Sequence, residues 1–455
     1  MRDSSRERRR TGVLALNEDG EQDEGSATIM ASVSGLTNTI IGAGMLALPH
    51  AYAKMGWLLG TVLLLLCAAV TNFGLYLVKL SEQRLNYRAQ SFYDLTTRAM
   101  PSAVWCFDAT IFIKCFGVAV SYLVICGHLL PQVVSSFAMV LFDDTVQISK
   151  LLLSKTMWVM AALAMVSPAC FYRKLYQMRA IGYLNIAAVL YLLVIMLYYF
   201  MSNNARSSLS PPGEISAVLV SKDLLTSLPI MLFAYTCAQN ILPVYYELQD
   251  STVERCTTVT VVSVGSSAMV YVFVALIGYA TFGANVGDNI IAMYPASSLF
   301  VCIGKLSVIA LTLSSFPMQL YPCRASLINL LEYNRVVTPS SVSEEQSLQQ
   351  DIDQIDPVQH HELDDRRWCV ITIALMGAAL LVSLLTDDLS VVLGIVGSLG
   401  STTISFILPA ILYCRIFEDE ANSNMRSSAF FLGLCGGLLL VLALSVNISK
   451  LVYGA

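Results

Sequence analysis

The sequence predicts an all-α membrane protein of eleven transmembrane helices, and three observations predict it. Of its 455 residues 56% are apolar and only 13% charged, about half the charged share of an ordinary soluble domain. The apolar residues gather in runs of about 20, each long enough to cross roughly 30 Å of hydrocarbon. Two of those runs break near their middles. The first breaks at Gly42, Ala43 and Gly44, with Pro49 close behind, and the sixth breaks between Pro229 and Pro243. A spanning helix tolerates such a break only where the freed backbone groups are buried in protein or line a watery cavity, so the pattern points to transport of a small solute.

The runs cover 29–52, 57–80, 103–138, 154–172, 178–201, 220–246, 258–283, 297–330, 368–386, 388–414 and 428–452. The third and eighth exceed a vertical crossing and must tilt or extend past the hydrocarbon. Only Thr386, Asp387 and Asp388 make the turn between the ninth and tenth. Together the runs form one transporter domain, 29–452. Residues 1–28 are polar, lack the apolar core of a cleavable signal, and read as a disordered cytosolic tail. The stretch 332–367 is acidic and without apolar periodicity, and reads as a disordered cytosolic loop. With the N-terminus in the cytosol, 19 Lys and Arg residues fall on that side and six on the other, which places the C-terminus outside or in a lumen.

The 12 cysteines are scattered, mostly within apolar runs, and suit packing better than a disulfide framework or a metal site. Nucleophile–base constellations and phosphate-binding glycine loops are absent from the sequence, which argues against an enzyme. The net charge of −5 resides in loops and marks no nucleic-acid surface; the lipid bilayer is the partner the composition demands. The one glycosylation sequon, at Asn447, sits at the membrane edge of the last span.

The breaks carry the chemistry. A half-helix starting at 42–45 offers free N–H groups and a positive dipole end to a carboxylate. In the sixth span the polar run Thr236, Cys237, Gln239 and Asn240 can compensate for the bonds its prolines remove. The two breaks lie five spans apart. An inverted repeat of five plus five spans places them face to face near the midplane, where a cage of backbone groups holds an amino acid's carboxylate and amine. No charge lies in either break, so neutral or small polar substrates are favoured.

Ionisable residues inside spans are costly. Lys114 is expected to snorkel to the cytosolic interface, the alternative being a buried pair, and Asp108 to be interfacial. His128, near the outer end of the third span, can titrate at mildly acid pH and couple protons, or simply be capped by a backbone carbonyl. Asn38, before the first break, and Thr312, Ser314 and Ser315 on the eighth span carry the oxygens of a possible sodium site, though such residues also pack helices closely.

These segments resemble the amino acid/auxin permease family, within the amino acid–polyamine–organocation superfamily. The likeness is carried by GLTNTIIGAGMLALP from Gly35 to Pro49, KCFGVAVSYL from Lys114 to Leu123, FAYTCAQNILPVYYE from Phe233 to Glu247, PMQLYPCR from Pro317 to Arg324, and Leu389 to Pro409. It covers roughly 29–452. The Lys114 segment looks most like fungal vacuolar amino acid exporters, and the animal sodium-coupled neutral amino acid transporters look like the next branch.

The resemblance implies a LeuT-like fold, a 5+5 inverted repeat with helices one and six broken, working by alternating access without a cofactor. Substrate would bind at Thr39, Ile41, Gly42, Ala43, Gly44 and Met45 in the first span, and at Tyr235, Cys237, Ala238, Gln239 and Asn240 in the sixth. Asn38, with Thr312 or Ser315, matches the sodium positions of the sodium-coupled branch. The chain departs from the family at Ala238, where a histidine is usual, and at His128, where many relatives have aspartate. That departure makes His128 a candidate proton-coupling residue and Ala238 a candidate for a larger pocket.

The expected activity is proton-coupled or proton-antiporting amino acid transport, with H+ or Na+ as coupling ion. The alternatives are sodium-coupled uptake, or an amino acid sensor signalling through the tail or the 332–367 loop, either of which can also bind cytosolic regulators. A vacuole- or lysosome-type membrane is favoured over the plasma membrane.

Overall fold

The computed structural model of the chain describes residues 27–85, 88–89, 91–142, 150, 152–172, 181–220, 223–336, 365–386, 388–419 and 424–453. Residues 1–26 of the expected tail and 337–364 of the expected acidic loop lie outside them.

The first run is two helices, α1 (Ile29–Ile40) and α2 (Gly44–Met55), bent by 57° at the break. Thr28 caps α1, its hydroxyl accepting the Ala31 N–H at 3.3 Å. The α1 helix stops where Ile41 turns extended (φ −73°, ψ 98°). After α3 (Trp57–Arg84) comes a short helix the apolar pattern does not announce, α4 (Phe92–Ala99). A reciprocal cap between Ser91 and Asp94 starts it. Next are α5 (Val104–Phe142), α6 (Lys155–Cys170) and α7 (Ile181–Met201).

The sixth run divides into α8 (Leu224–Tyr235) and α9 (Ile241–Glu247). Thr236 is extended here (φ −72°, ψ 108°), so the two breaks open with nearly the same backbone after half-helices of 12 residues each. Pro243 falls in the first turn of α9, where a proline gives up no intrahelical bond; it eases the restart. There follow α10 (Val253–Phe282), α11 (Leu299–Val336) and α12 (Asp365–Leu385).

Asp388 then caps α13 (Leu389–Val396), accepting the N–H groups of Ser390 and Val391 at 2.8 and 3.3 Å. The expected short turn between the ninth and tenth runs is therefore a true helix boundary. The path continues through two π-helical stretches, Gly397–Ser401 and Thr403–Ile407, into α14 (Leu408–Ile416), and α15 (Asn424–Tyr453) ends the bundle.

Among the described residues nine helical spans are long and apolar enough to cross a membrane, and the bent α1–α2 pair makes a tenth. The fourth expected span, α6, has 16 residues and about 24 Å of rise, less than a full crossing. The long runs three and eight are the 39-residue α5 and the 38-residue α11, which form the most extensive helix pair. The broken span Leu224–Glu247 has 78% of its most apolar window buried, against 22% for Asn424–Ser449. The break therefore lies inside the bundle, whereas α15 presents Phe430, Phe431, Leu434, Leu438 and Val441 outward, as a lipid-facing helix does.

On α15, Asn447 is only 3% exposed. Its amide donates to the Ala443 carbonyl at 2.9 Å, and it abuts Gly394. The sequon is thus closed by packing. Asn447→Gln is expected to leave electrophoretic mobility unchanged, with or without glycosidase treatment, and a mobility shift would contradict the packing of α15 on α13.

Candidate functional site

The two breaks meet. A Cβ added to Gly44 would lie 2.8 Å from the Ala234 Cα and 3.1 Å from its Cβ, so the start of α2 rests on the end of α8 with no room for a side chain. Such close backbone approach is how small residues knit membrane helices. Tyr271, buried on α10, ties the pair together. Its hydroxyl lies 2.6 Å from the Ile40 carbonyl, at the end of α1, and 2.9 Å from the Ala234 carbonyl, near the end of α8. The last carbonyls of a helix have no intrahelical donor. One tyrosine proton thus serves both half-helices, and the Gly42 N–H is directed at the same oxygen.

Within the first break the Met45 and Leu46 N–H groups turn back to the Gly42 and Ala43 carbonyls at 3.2 and 3.1 Å. The N–H groups of Ala43 and Gly44 stand at the start of α2, on the positive end of its dipole. Ile41 and Gly42 are partly buried; Ala43, Gly44 and Met45 are fully so. Thr39 spends its hydroxyl on the Gly35 carbonyl at 3.1 Å. Tyr122, on α5, places its hydroxyl 3.6 Å from a Cβ position at Gly42, and Ser315 and Gln319 on α11 face that hydroxyl. The first break is therefore overlooked by α5, α10 and α11 together.

In the second break Thr236 donates to the Leu232 carbonyl at 2.9 Å, and the Asn240 N–H to the Cys237 carbonyl at 2.9 Å. Cys237 and Ala238 are buried, Asn240 partly so. The Tyr235 ring meets Tyr271 edge-on, centroids 5.1 Å apart, and its hydroxyl faces Tyr52 and Cys67. Gln239 is buried, with neither amide atom partnered among the described residues.

The sodium candidates are placed on different neighbours. Asn38 abuts Gly182, and Ser314 donates to Asn185 at 3.0 Å, both at the start of α7. Thr312 bonds its own helix, at Val308 (3.0 Å) and Ile309 (2.9 Å), with Cys126 at 3.3 Å, and Ser315 faces Tyr122. The described residues contain no cluster of three metal-ligating His, Cys, Asp or Glu side chains. His128 is half-buried on α5, six residues beyond Tyr122 and so about 9 Å further along the helix.

Two expectations about charged residues differ from the structure. Lys114 is 2% exposed and does not snorkel: it packs on Gly400 and faces Cys115 and Cys237. Asp108 is buried, accepting from the Asn329 amide at 3.3 Å. Tyr122 and Tyr271 are the functional residues that the sequence does not single out. A tyrosine within an apolar run was the available signal, because a buried hydroxyl there needs a partner and a broken helix needs a donor.

An all-helical, multi-pass membrane protein with two broken helices clasped at its centre is the architecture these observations define. The chain belongs to the transmembrane amino acid transporter protein family, whose sequence profile matches residues 25–449; it is not an enzyme. It is 34% identical over 439 residues to vacuolar amino acid transporter 5 of Schizosaccharomyces pombe, covering 94% of this chain and 96% of that protein. It is 31% identical over 451 residues to vacuolar amino acid transporter 6 of Saccharomyces cerevisiae, covering 93% and 98%. Vacuolar amino acid transporter 5 of the same yeast is 30% identical over 425 residues, covering 88% and 91%.

Proposed function

We propose that the chain is a secondary active amino acid transporter that works by alternating access, driven by a proton gradient as symporter or antiporter. The observation that carries this reading is the Tyr271 clasp, one hydroxyl between the carbonyls of Ile40 and Ala234. It joins two half-helices whose equal length and matching torsions suit the equivalent elements of a LeuT-like 5+5 inverted repeat, with α6 as the eleventh crossing. In this reading the substrate carboxylate sits at the N–H groups of Ala43 and Gly44, and its amine meets the carbonyl ends of α1 and α8. Met45 and residues 237–240 enclose it. Those backbone groups read what all amino acids share.

His128 is the proposed proton-coupling side chain. The sodium alternative rests on Asn38, Thr312 and Ser315. The Lys and Arg asymmetry favours a cytosolic N-terminus, leaving the tail and the 332–367 loop to cytosolic regulators, and the names of the relatives favour a vacuole-type membrane. The test is uptake of a labelled amino acid mixture into proteoliposomes with no gradient, an inward proton gradient, an outward proton gradient or an inward sodium gradient. Stimulation by either proton gradient is expected, and its loss of pH dependence in His128→Asn. Stimulation by sodium alone would replace the proton scheme, and saturable binding without flux under any gradient would favour a sensor.

A further inference from the structure

Beside the second break the helices bring together a set of buried polar groups that their own sequence neighbours do not explain. Lys114 is 2% exposed, and no carboxylate pairs with it among the described residues. Gly400 holds it there: a Cβ at that position would lie 2.7 Å from the Lys114 Cβ and 3.0 Å from its Cα. The same π-helical stretch carries Ser401, and the next carries Ser405; both hydroxyls are buried without a hydrogen-bond partner among the described residues. That next stretch packs against 238–240, where Gln239, 9% exposed, leaves both amide atoms unpartnered. Lys114 in turn faces Cys237, one residue into the break.

A buried polar group left without a partner is costly, and a buried ammonium more so. Several such groups around one break are hard to account for by packing, and π-helical turns recur where function has displaced regularity. The set is rich in donors. An ammonium brings three, the glutamine amide two and each serine hydroxyl one, beside the acceptors of the glutamine carbonyl and the hydroxyls, and no acidic residue of the described chain stands against the lysine. What satisfies such a set is an anion with two acceptor oxygens.

We infer that Lys114, Gln239, Ser401 and Ser405 form a side-chain subsite that takes the carboxylate of an acidic amino acid. The inference rests on the transporter reading for its substrate and revises the expectation of neutral substrates. That expectation came from the lack of charge within the breaks; the cation arrives from α5, across the bundle.

The test uses the full-length protein and the near-isosteric pair glutamate and glutamine, which differ at the group the subsite reads. In proteoliposomes each competes against a labelled amino acid that the protein takes up, and in detergent each is tested for thermal stabilisation. Glutamate is expected to compete at concentrations at least about tenfold lower than glutamine and to stabilise the protein more. Lys114→Met is expected to bring that ratio close to one, Lys114→Arg to keep it within about threefold, and Gln239→Leu with Ser401→Ala to lower it even if Lys114→Met does not fold. Equal competition by the two in the wild type, or a wild-type ratio in Lys114→Met, would overturn the subsite. A wild type that carries no amino acid, yet is stabilised by glutamate over glutamine through Lys114, would overturn the transport reading and leave the subsite standing.

Discussion

Gly44→Leu is expected to abolish amino acid uptake, by at least about a hundredfold, in a protein that still inserts and purifies as a single species. The added Cβ alone would sit 2.8 Å from the Ala234 Cα, a separation that a backbone atom cannot relieve by rotating. The start of α2 must then move off the end of α8. A displacement of about 1 Å in a site that positions its ligand is enough for a loss of about 10²-fold, and leucine demands more than that. Gly44→Ala should give a smaller loss, since only one methyl group must be accommodated. Gly437→Leu is the matched control, because nothing lies within 4 Å of a Cβ at that α15 position. Uptake is read in proteoliposomes; a Gly44→Leu protein transporting at the wild-type rate would refute the close pairing of the breaks.

Tyr271→Phe is the second large effect expected. The substitution keeps the ring that meets Tyr235 and deletes only the oxygen between Ile40 and Ala234. Two buried carbonyls lose their shared donor, and leaving such groups unsatisfied costs about 1–3 kcal/mol. The melting temperature of the detergent-solubilised protein should therefore fall, and uptake with it, because the same bond sets the spacing of the half-helices. Tyr52→Phe should cost less, since that hydroxyl bonds the Thr61 hydroxyl in a partly buried contact and no carbonyl of either break. Unchanged stability and uptake in Tyr271→Phe would show that the clasp contributes nothing.

The reason the breaks were legible in the sequence and their partners were not is visible in these two residues. Gly42 and Gly44 announce a break because two glycines one residue apart weaken the helix within an apolar run; no knowledge of the rest of the chain is required. Tyr271 sits 231 residues from Ile40 and 37 from Ala234, and hydropathy along the chain does not encode which helix faces which. Lys114 was misplaced for the same reason. A lysine a third of the way along an apolar run has a stem long enough to be read as reaching water, and only the approach of Gly400 from the tenth span shows that the way is closed.

Pro243 was legible as a perturbation but not as a kind. Its meaning depends on where α9 restarts, and a shift of a few residues turns a kink into a first-turn proline. The turn at 386–388 was legible only as a short polar interruption of the apolar pattern; that Asp388 caps the next helix shows in the structure. The short helix α4 was missed because eight residues are too few for apolar periodicity to stand out.

The measurement that tests the central claim most directly is a structure of the full chain with an amino acid bound. A single ligand is expected between the two breaks, its carboxylate about 3 Å from the Ala43 and Gly44 N–H groups, beneath Tyr122 and beside residues 237–240. A ligand lodged elsewhere in the bundle, with the 42–45 and 237–240 segments closed on each other and nothing between them, would contradict it.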